Sequence, residues 1–384
     1  MKKSKQKNSL AAPRKKLNLG KVDIPFLALV IILLSFGLIM VASSSYVFAL
    51  YKYGDSYYYI KKQLFFAVAG IVGMLIVAFL DYHHLRKWAL VILGISILLL
   101  IMVLFPIPGI SIKANGARRW LNFGIQFQPS EVAKLAIIIS FASYISANYK
   151  HMKKFMVGVV PPAATLGIVA VLVVFEPHLS GAILIVAIGA IMMFVGGIDK
   201  KYIFAAIGLV GSVFAAVVAF TPYMQSRIQM WLDPFSDAQG KGYQIVQSLY
   251  AIGSGGIFGL GLGQSRQKHL YIPEPQNDYI FSIIAEELGF VGCIFLILLF
   301  ILLIWRGYMI AFHAKDKFGA LLVIGIVSRI AVQTCLNIAV VTNALPSTGI
   351  SLPFFSYGGS ALIILLVEMG IVLSVSRLSY IEKA

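Results

Sequence analysis

The chain has 384 residues, 59% of them hydrophobic and only 12% charged, with a formal net charge of +17. A soluble domain is about 45–50% apolar and about 25% charged, so this composition excludes one and points to an integral membrane protein. The positive charge invites a nucleic-acid reading, but its distribution along the chain argues against that.

The first segment, 1–21, is a basic tail. The apolar run behind it is too long for the core of a cleaved signal peptide. A spanning helix needs roughly 20 mostly apolar residues. About ten such runs follow, at 22–44, 62–80, 88–105, 129–147, 156–175, 179–196, 202–220, 279–305, 318–341 and 358–376. The predicted fold is therefore an all-α integral membrane bundle of about ten transmembrane helices, occupying 22–378, with a short tail at 379–384. With the N-terminus inside, the cytoplasmic segments hold about twice as many Lys and Arg as the outer ones. That is the asymmetry of the positive-inside rule, and the same charges meet anionic membrane lipids. Both termini are expected in the cytoplasm of a multi-pass protein of the bacterial cytoplasmic membrane. Cys293 and Cys335 lie in apolar runs and are expected to be buried hydrophobes, and the six His show no metal-ligand spacing.

Three outer segments carry unusual residues. "NGARRWLNFGIQFQPSE" covers 115–131, "TNALPSTGISLPFFSYGGS" covers 342–360, and a long structured loop covers 221–278. In that loop "YQIVQSLYAI" reads as a short amphipathic helix along the membrane surface. "GSGGIFGLGLGQ" lacks the Lys-Ser/Thr of a phosphate-binding loop. There is no sign of the inverted pair of broken helices that marks many transporters.

Ionisable groups in spans are costly and call for explanation. In "PSEVAK", Pro129 suits the first helical position, and Glu131 and Lys134 share a face. They fit either a buried salt bridge or a charged floor beneath a polar cavity. Arg118 and Arg119, beside Trp120, suit a pyrophosphate or, equally, lipid headgroups. Trp120 itself reads as an interfacial anchor. Arg329, Gln333 and Asn337 are spaced four apart, a polar stripe facing the bundle interior. Glu368 lies at a depth similar to Arg329, so an intramembrane ion pair is expected.

The stretch "YIPEPQNDYIFSIIAEELGFVGC", 271–293, holds four acids. Asp278 falls where an N-cap would sit, which would keep its pKa low. Glu286 and Glu287 lie about 12–13 Å further along the axis, roughly 80° and 180° round from Asp278. They are expected to be buried, paired and structural.

"NGARRWLNFG", "FQPSEVAKLAI", "LDPFSDAQGKGYQIVQSLYAIGSGGIFGLGLGQSRQKHLYIPEPQNDYIFSIIAEELGFVG" and "STGISLPFFSYGGSAL" together resemble the SEDS family of polytopic peptidoglycan glycosyltransferases, typified by FtsW, RodA and SpoVE. The wording "GQSRQKHLYIPEPQNDYIF" is nearest the FtsW/SpoVE branch. The resemblance implies a ten-helix bundle that polymerises lipid II, a disaccharide-pentapeptide on a polyprenyl pyrophosphate, outside the membrane. It also implies a class B penicillin-binding transpeptidase as partner. It maps the family's essential Asp onto Asp278 and its functional cations onto Arg119 and Lys134, with Glu131 in the same motif. Arg118, Asn277, Arg329 and Glu368 depart from the family pattern.

The implied reaction is an inverting displacement with Asp278 as base and Arg119, Lys134 and Arg118 as diphosphate contacts. Ser356 and Gly358–Gly359 would either line the same cavity or form a helix-start turn. A carboxylate of low pKa is a weak base, so it must act mainly through positioning or share a divalent cofactor ion, Mg or Mn, with the diphosphate. No metal site can be assigned. A lipid II flippase and a division scaffold are the alternatives.

Overall fold

The structure, a computed structural model, describes residues 21–379 apart from 106, 108, 115, 116 and 125. Most of the basic tail expected at 1–21, and residues 380–384, lie outside the described residues.

The helices are α1 (Ile24–Tyr53), α2 (Tyr58–Phe79), α3 (His83–Leu104), α4 (Pro129–Asn148), α5 (Phe155–Gly158), α6 (Val160–Phe175), α7 (Leu179–Val195), α8 (Lys200–Phe220), α9 (Pro222–Leu232), α10 (Tyr243–Gly255), α11 (Ile280–Phe312), α12 (Lys317–Val341) and α13 (Gly359–Arg377). Eight of the described helical segments are long and apolar enough to cross a membrane, and α7 is apolar but has 17 residues. Each predicted run has its helix. Several are longer than the apolar pattern suggests. α1 continues past residue 44 by burying Ser44, Ser45 and Ala49, and it ends at Gly54 (φ 71°), whose N–H donates to Leu50. α2 starts at Tyr58, four residues before its apolar run.

The segment before α4 is not helical. β1 (Ser111–Ala114), β2 (Ala117–Asn122) and β3 (Gln126–Phe127) form an antiparallel sheet in that order, with an irregularity between Ile112 and Lys113. This small sheet is the exception to the all-α expectation.

α4, α12 and α13 are the most buried spans, and α3 the least. Apolar side chains on the outer helices, such as Phe65, Leu90 and Phe295, stay exposed, as lipid contact requires. Cys293 is half-buried and Cys335 exposed, contrary to the buried positions expected for both. At the opposite end from the outer loops, Arg306 clamps Asp23 at 2.7 Å, and Asp23 also caps α1 through Phe26 N–H.

The eighth predicted span is broken. Gly289 has φ 66° and ψ −166° inside α11. The glycine-rich segment after α10 repairs the gap with backbone bonds. Leu260 and Gly261 N–H donate to the carbonyls of Glu286 and Glu287, and Phe290 and Val291 N–H donate to those of Gly256 and Ile257. The strands must touch for this. A Cβ on Gly289 would lie 2.3 Å from Gly259 N, and one on Gly259 would lie 2.2 Å from Glu287 O. That contact accounts for the glycines. α10 is held by the same contact and packs on α11 and α12, with Ser248 Oγ donating to Val341 O at 2.9 Å.

Glu286 and Glu287 finish the clamp. Glu286 accepts from Ser265 Oγ, Arg266 N–H and Gln267 N–H. Glu287 pairs with the buried Lys268 at 3.0 Å and accepts from Ser43 Oγ at 2.7 Å. Both acids are fully buried and structural in their contacts.

Gly289→Ala is expected to destabilise the protein by at least about 1–3 kcal/mol, from the left-handed φ and the lost approach. Gly94, which is helical with open space around it, should tolerate Ala at little cost. Thermal unfolding in detergent compares the two. Equal melting temperatures would contradict this account of the break.

Candidate active site

The N-terminal ends of α2, α4, α7, α11 and α13 open onto one cavity of about 1090 Å³. Gln128, His178 and Gly358, the N-caps of α4, α7 and α13, line it. Helix N-termini present unpaired N–H groups and a positive field, so the cavity favours an anion before any side chain is counted.

Its floor is ionic. Lys134 Nζ lies 2.6 Å from Glu131 Oε1, and Glu131 Oε2 lies 2.8 Å from Arg329 Nη2. Arg329 also pairs with Glu368. All four residues are buried. The alternating signs give every charge an opposite neighbour, as low-dielectric burial demands. The chain joins α4, α12 and α13, and three of its members, Glu131, Lys134 and Arg329, face the cavity. Both readings of "PSEVAK" are therefore realised at once: a salt bridge between helices and a charged floor.

The polar stripe of α12 continues upward. Gln333 Nε2 donates to Ser351 O at 3.0 Å. Asn337 Nδ2 donates to Ile350 O at 2.6 Å and to Asp278 O at 2.9 Å. Ser356 Oγ donates to Asn277 O at 2.9 Å and accepts from Leu352 N–H at 2.7 Å. Tyr357 N–H donates to Gln276 O at 2.8 Å. Ser356 lines the cavity, and its hydroxyl also ties the 352–357 turn to the backbone before Asp278. Gly359 sits against Phe66, where a Cβ would lie 2.4 Å from the ring.

Asp278 is held at the wall of this cavity. It is not an N-cap. α11 begins at Ile280, the capping position is Tyr279, and no side chain caps it. The expected low pKa fails with the cap. Burial, then the neighbouring Glu274 carboxylate, push the Asp278 carboxyl up to about 6, against the opposing pull of Arg119. Glu274 itself is held by Asn277 Nδ2 at 2.9 Å and lies 3.9 Å from Lys52.

Arg119 faces the cavity from β2 and donates to the carbonyls of Glu176 and Pro177. Arg118 is not among the cavity-lining residues. Trp120, expected at the membrane interface, lines the cavity instead.

Two lining residues, His178 and Glu274, and a residue bonded to the lining backbone, Gln63, escape the sequence reading. His178 Nδ1 lies 3.3 Å from both Gln128 Nε2 and Ser130 Oγ. Burial, Arg119 and Lys134 push its pKa down to about 3, so the ring is neutral. Gln63 Oε1 accepts from Gly358 N–H at 3.3 Å. Glu274 looked like a loop acid. Gln63 could have been found as a polar group in an apolar helix. The other two carry no local signal. Near them, burial raises Glu176 to about 8, so it is protonated at neutral pH.

Residues 24–381 match the FtsW/RodA/SpoVE family, described as "Cell cycle protein". The chain is 44% identical to "Stage V sporulation protein E" of Bacillus subtilis over 93% of its length and 97% of the relative's. It is 40% identical to "Probable peptidoglycan glycosyltransferase FtsW" of Trichlorobacter lovleyi, covering 94% and 95% of the two chains. Among solved structures, the fold superposes with a TM-score of 0.79 on a chain, 27% identical, from "Structural coordination of polymerization and crosslinking by a peptidoglycan synthase complex", covering 94% of this chain and 100% of that one. It superposes with a TM-score of 0.69 on RodA of Thermus thermophilus, 26% identical, covering 95% and 100%.

The ionic floor has a mutational signature. Arg329→Leu strands the buried Glu368 and removes one of the two partners of Glu131, and is expected to cost about 3–5 kcal/mol. Adding Glu368→Leu should recover much of this, since Glu131 keeps Lys134. Exchanging the signs at 329 and 368 should not rescue folding, because the new acid would face Glu131. Unfolding of the single and double variants checks this. A double variant no more stable than the single would contradict the arrangement.

Proposed function

The chain belongs to the FtsW/RodA/SpoVE family, and from that premise we propose that it polymerises lipid II into glycan strands on the outer face of the cytoplasmic membrane, in division or a related septal or sporulation process. It is a peptidoglycan glycosyltransferase and a multi-pass membrane protein. One observation carries the residue-level reading: Asp278, raised to about 6, stands at the wall of a cavity ringed by helix N-termini and floored by Glu131, Lys134 and Arg329.

The donor is a sugar bonded to diphosphate. The acceptor hydroxyl attacks the donor's anomeric carbon, its proton passes to Asp278, and the bond to the diphosphate breaks with inversion. A carboxylate near 6 is a better base than an ordinary one, and its ionised form still predominates at pH 7. The leaving diphosphate gathers charge that Arg119, Lys134 and the helix ends stabilise. Glu131 holds Lys134 at the cavity floor through their 2.6 Å contact, and His178 stays neutral beside it. Arg118 has no part in this, and Ser356 acts by positioning the loop.

Among the described residues no group of three His, Cys, Asp or Glu is gathered for a metal. A divalent Mg or Mn would be held by Asp278 together with diphosphate oxygens, one carboxylate plus phosphates being a donor set that Mg commonly takes. When bound, it would neutralise the leaving group. The assignment of both termini to the cytoplasm follows from the charge asymmetry. The synthase-complex relative supports a crosslinking partner, a class B penicillin-binding transpeptidase.

Purified protein given lipid II, with and without that partner, tests the reading. Wild type should yield β-linked glycan polymer, and Asp278→Asn should lose about 10²–10⁴-fold in rate, the usual contribution of a general base. Full polymerisation by Asp278→Asn, or retained configuration, would overturn the mechanism. Lipid transfer across a bilayer without polymer would favour the flippase.

A further inference from the structure

At the rim of the cavity, the end of α1 and the start of α2 form a compact arrangement of tyrosines and lysines. The segment is "YKYGDSYYYIKK", 51–62. Its centre is a pair of stacked rings with an ammonium group beside each. Tyr53 and Tyr58 lie face to face, with centroids 3.8 Å apart and planes at 15°. Lys62 Nζ sits 4.1 Å from the Tyr58 centroid, and Lys52 Nζ sits 5.6 Å from that of Tyr53. Lys62 also reaches Tyr58 Oη. Tyr59 anchors the arrangement to the loop before α13, packing edge-on to Tyr357 at 4.8 Å.

The stack decides what chemistry is available. Exposed tyrosines beside a saccharide site suggest sugar stacking. Here the two rings cover each other on one side, and ammonium groups lie close to both. What the rim offers is charge. Ammoniums held against rings and a phenol oxygen keep fewer conformations than free lysines, which lowers the ordering cost of binding. Lys52 and Lys61 have acidic neighbours, Glu274 at 3.9 Å and Asp55 at 2.8 Å. Among the described residues, Lys62 has no carboxylate within 4.0 Å. Lys52, Lys61 and Lys62 all line the cavity, and so does Asp278.

We propose that this lysine–tyrosine rim is a subsite for the carboxylates of the substrate's pentapeptide, with Lys62 as its principal contact and Lys52 and Lys61 in support. The inference rests on the polymerase reading and names which part of the substrate meets which wall. The diphosphate is matched at the floor by Lys134 and at the wall by Arg119. The rim cations stand apart from that pair in the chain and in the fold, on α1 and α2 rather than β2 and α4. The peptide is the remaining anionic part of lipid II. A lysine contact with a carboxylate, partly exposed at the rim, contributes modestly and is weakened by salt.

The test is steady-state kinetics of wild type, Lys62→Gln and Lys62→Arg on two substrates: lipid II, and the same lipid-linked disaccharide diphosphate with its peptide carboxylates amidated. For Lys62→Gln the KM for lipid II should rise about three- to tenfold, the range of one such contact. Its KM for the amidated substrate should match that of wild type on the amidated substrate. Lys62→Arg should retain most of the affinity. An equal rise on both substrates would assign Lys62 to the diphosphate or sugars, and no change on either would remove it from the site; each overturns the proposal. Failure of wild type to polymerise either substrate would instead overturn the polymerase reading.

Discussion

A charge inside a membrane must find its opposite, and this requirement organises the molecule. Lys134, Glu131, Arg329 and Glu368 meet it with one alternating chain across the three most buried spans. Neither inner member, Glu131 or Arg329, can be removed without stranding the charge at its end of the chain. The chain therefore locks α4, α12 and α13 together and also supplies the polar floor on which a cavity can exist. A purely apolar floor would pack as tightly, but it would offer nothing to a diphosphate.

The reacting carboxyl hangs from this frame. Asn337 lies two turns above Arg329 on the same helix face and holds the Asp278 carbonyl, while Gln333 and Ser356 hold the loops on either side. Below, the backbone ladder at Gly289 and the Glu286–Glu287 clamp fix the first turns of α11 against the glycine-rich segment. Asp278 is thus positioned from both directions by groups that do no chemistry. Burial and Glu274 then raise its pKa, which makes an ordinary carboxylate a usable base.

Much of this was legible in the sequence. The spans followed from apolar length, because lipid demands it. Residues 329, 333 and 337 declared one face by their spacing, and Glu286 and Glu287 their burial by their depth. What escaped depends on tertiary approach. The break at Gly289 is invisible because its partner glycines lie about 30 residues away in the chain, and local periodicity runs straight through it. The sheet at 111–127 is too short to show a pattern. Local chemistry favours Asp278 as an N-cap, whereas the burial and the nearby Glu274 that raise its pKa are properties of the folded wall. Lys62 sat at a span edge among residues that look like ordinary interfacial tyrosines and lysines.

The central claim is that Asp278 removes the acceptor proton and that its surroundings tune it. The direct measurement is the pH dependence of kcat/KM for polymerisation, in wild type and in Glu274→Gln. Activity needs the ionised carboxylate, so it should fall as pH drops through about 6. Removing the Glu274 charge takes away a cause of the raised pKa, so the variant's acid limb should move to lower pH. A profile flat across this range, or an acid limb unmoved by Glu274→Gln, would contradict the account.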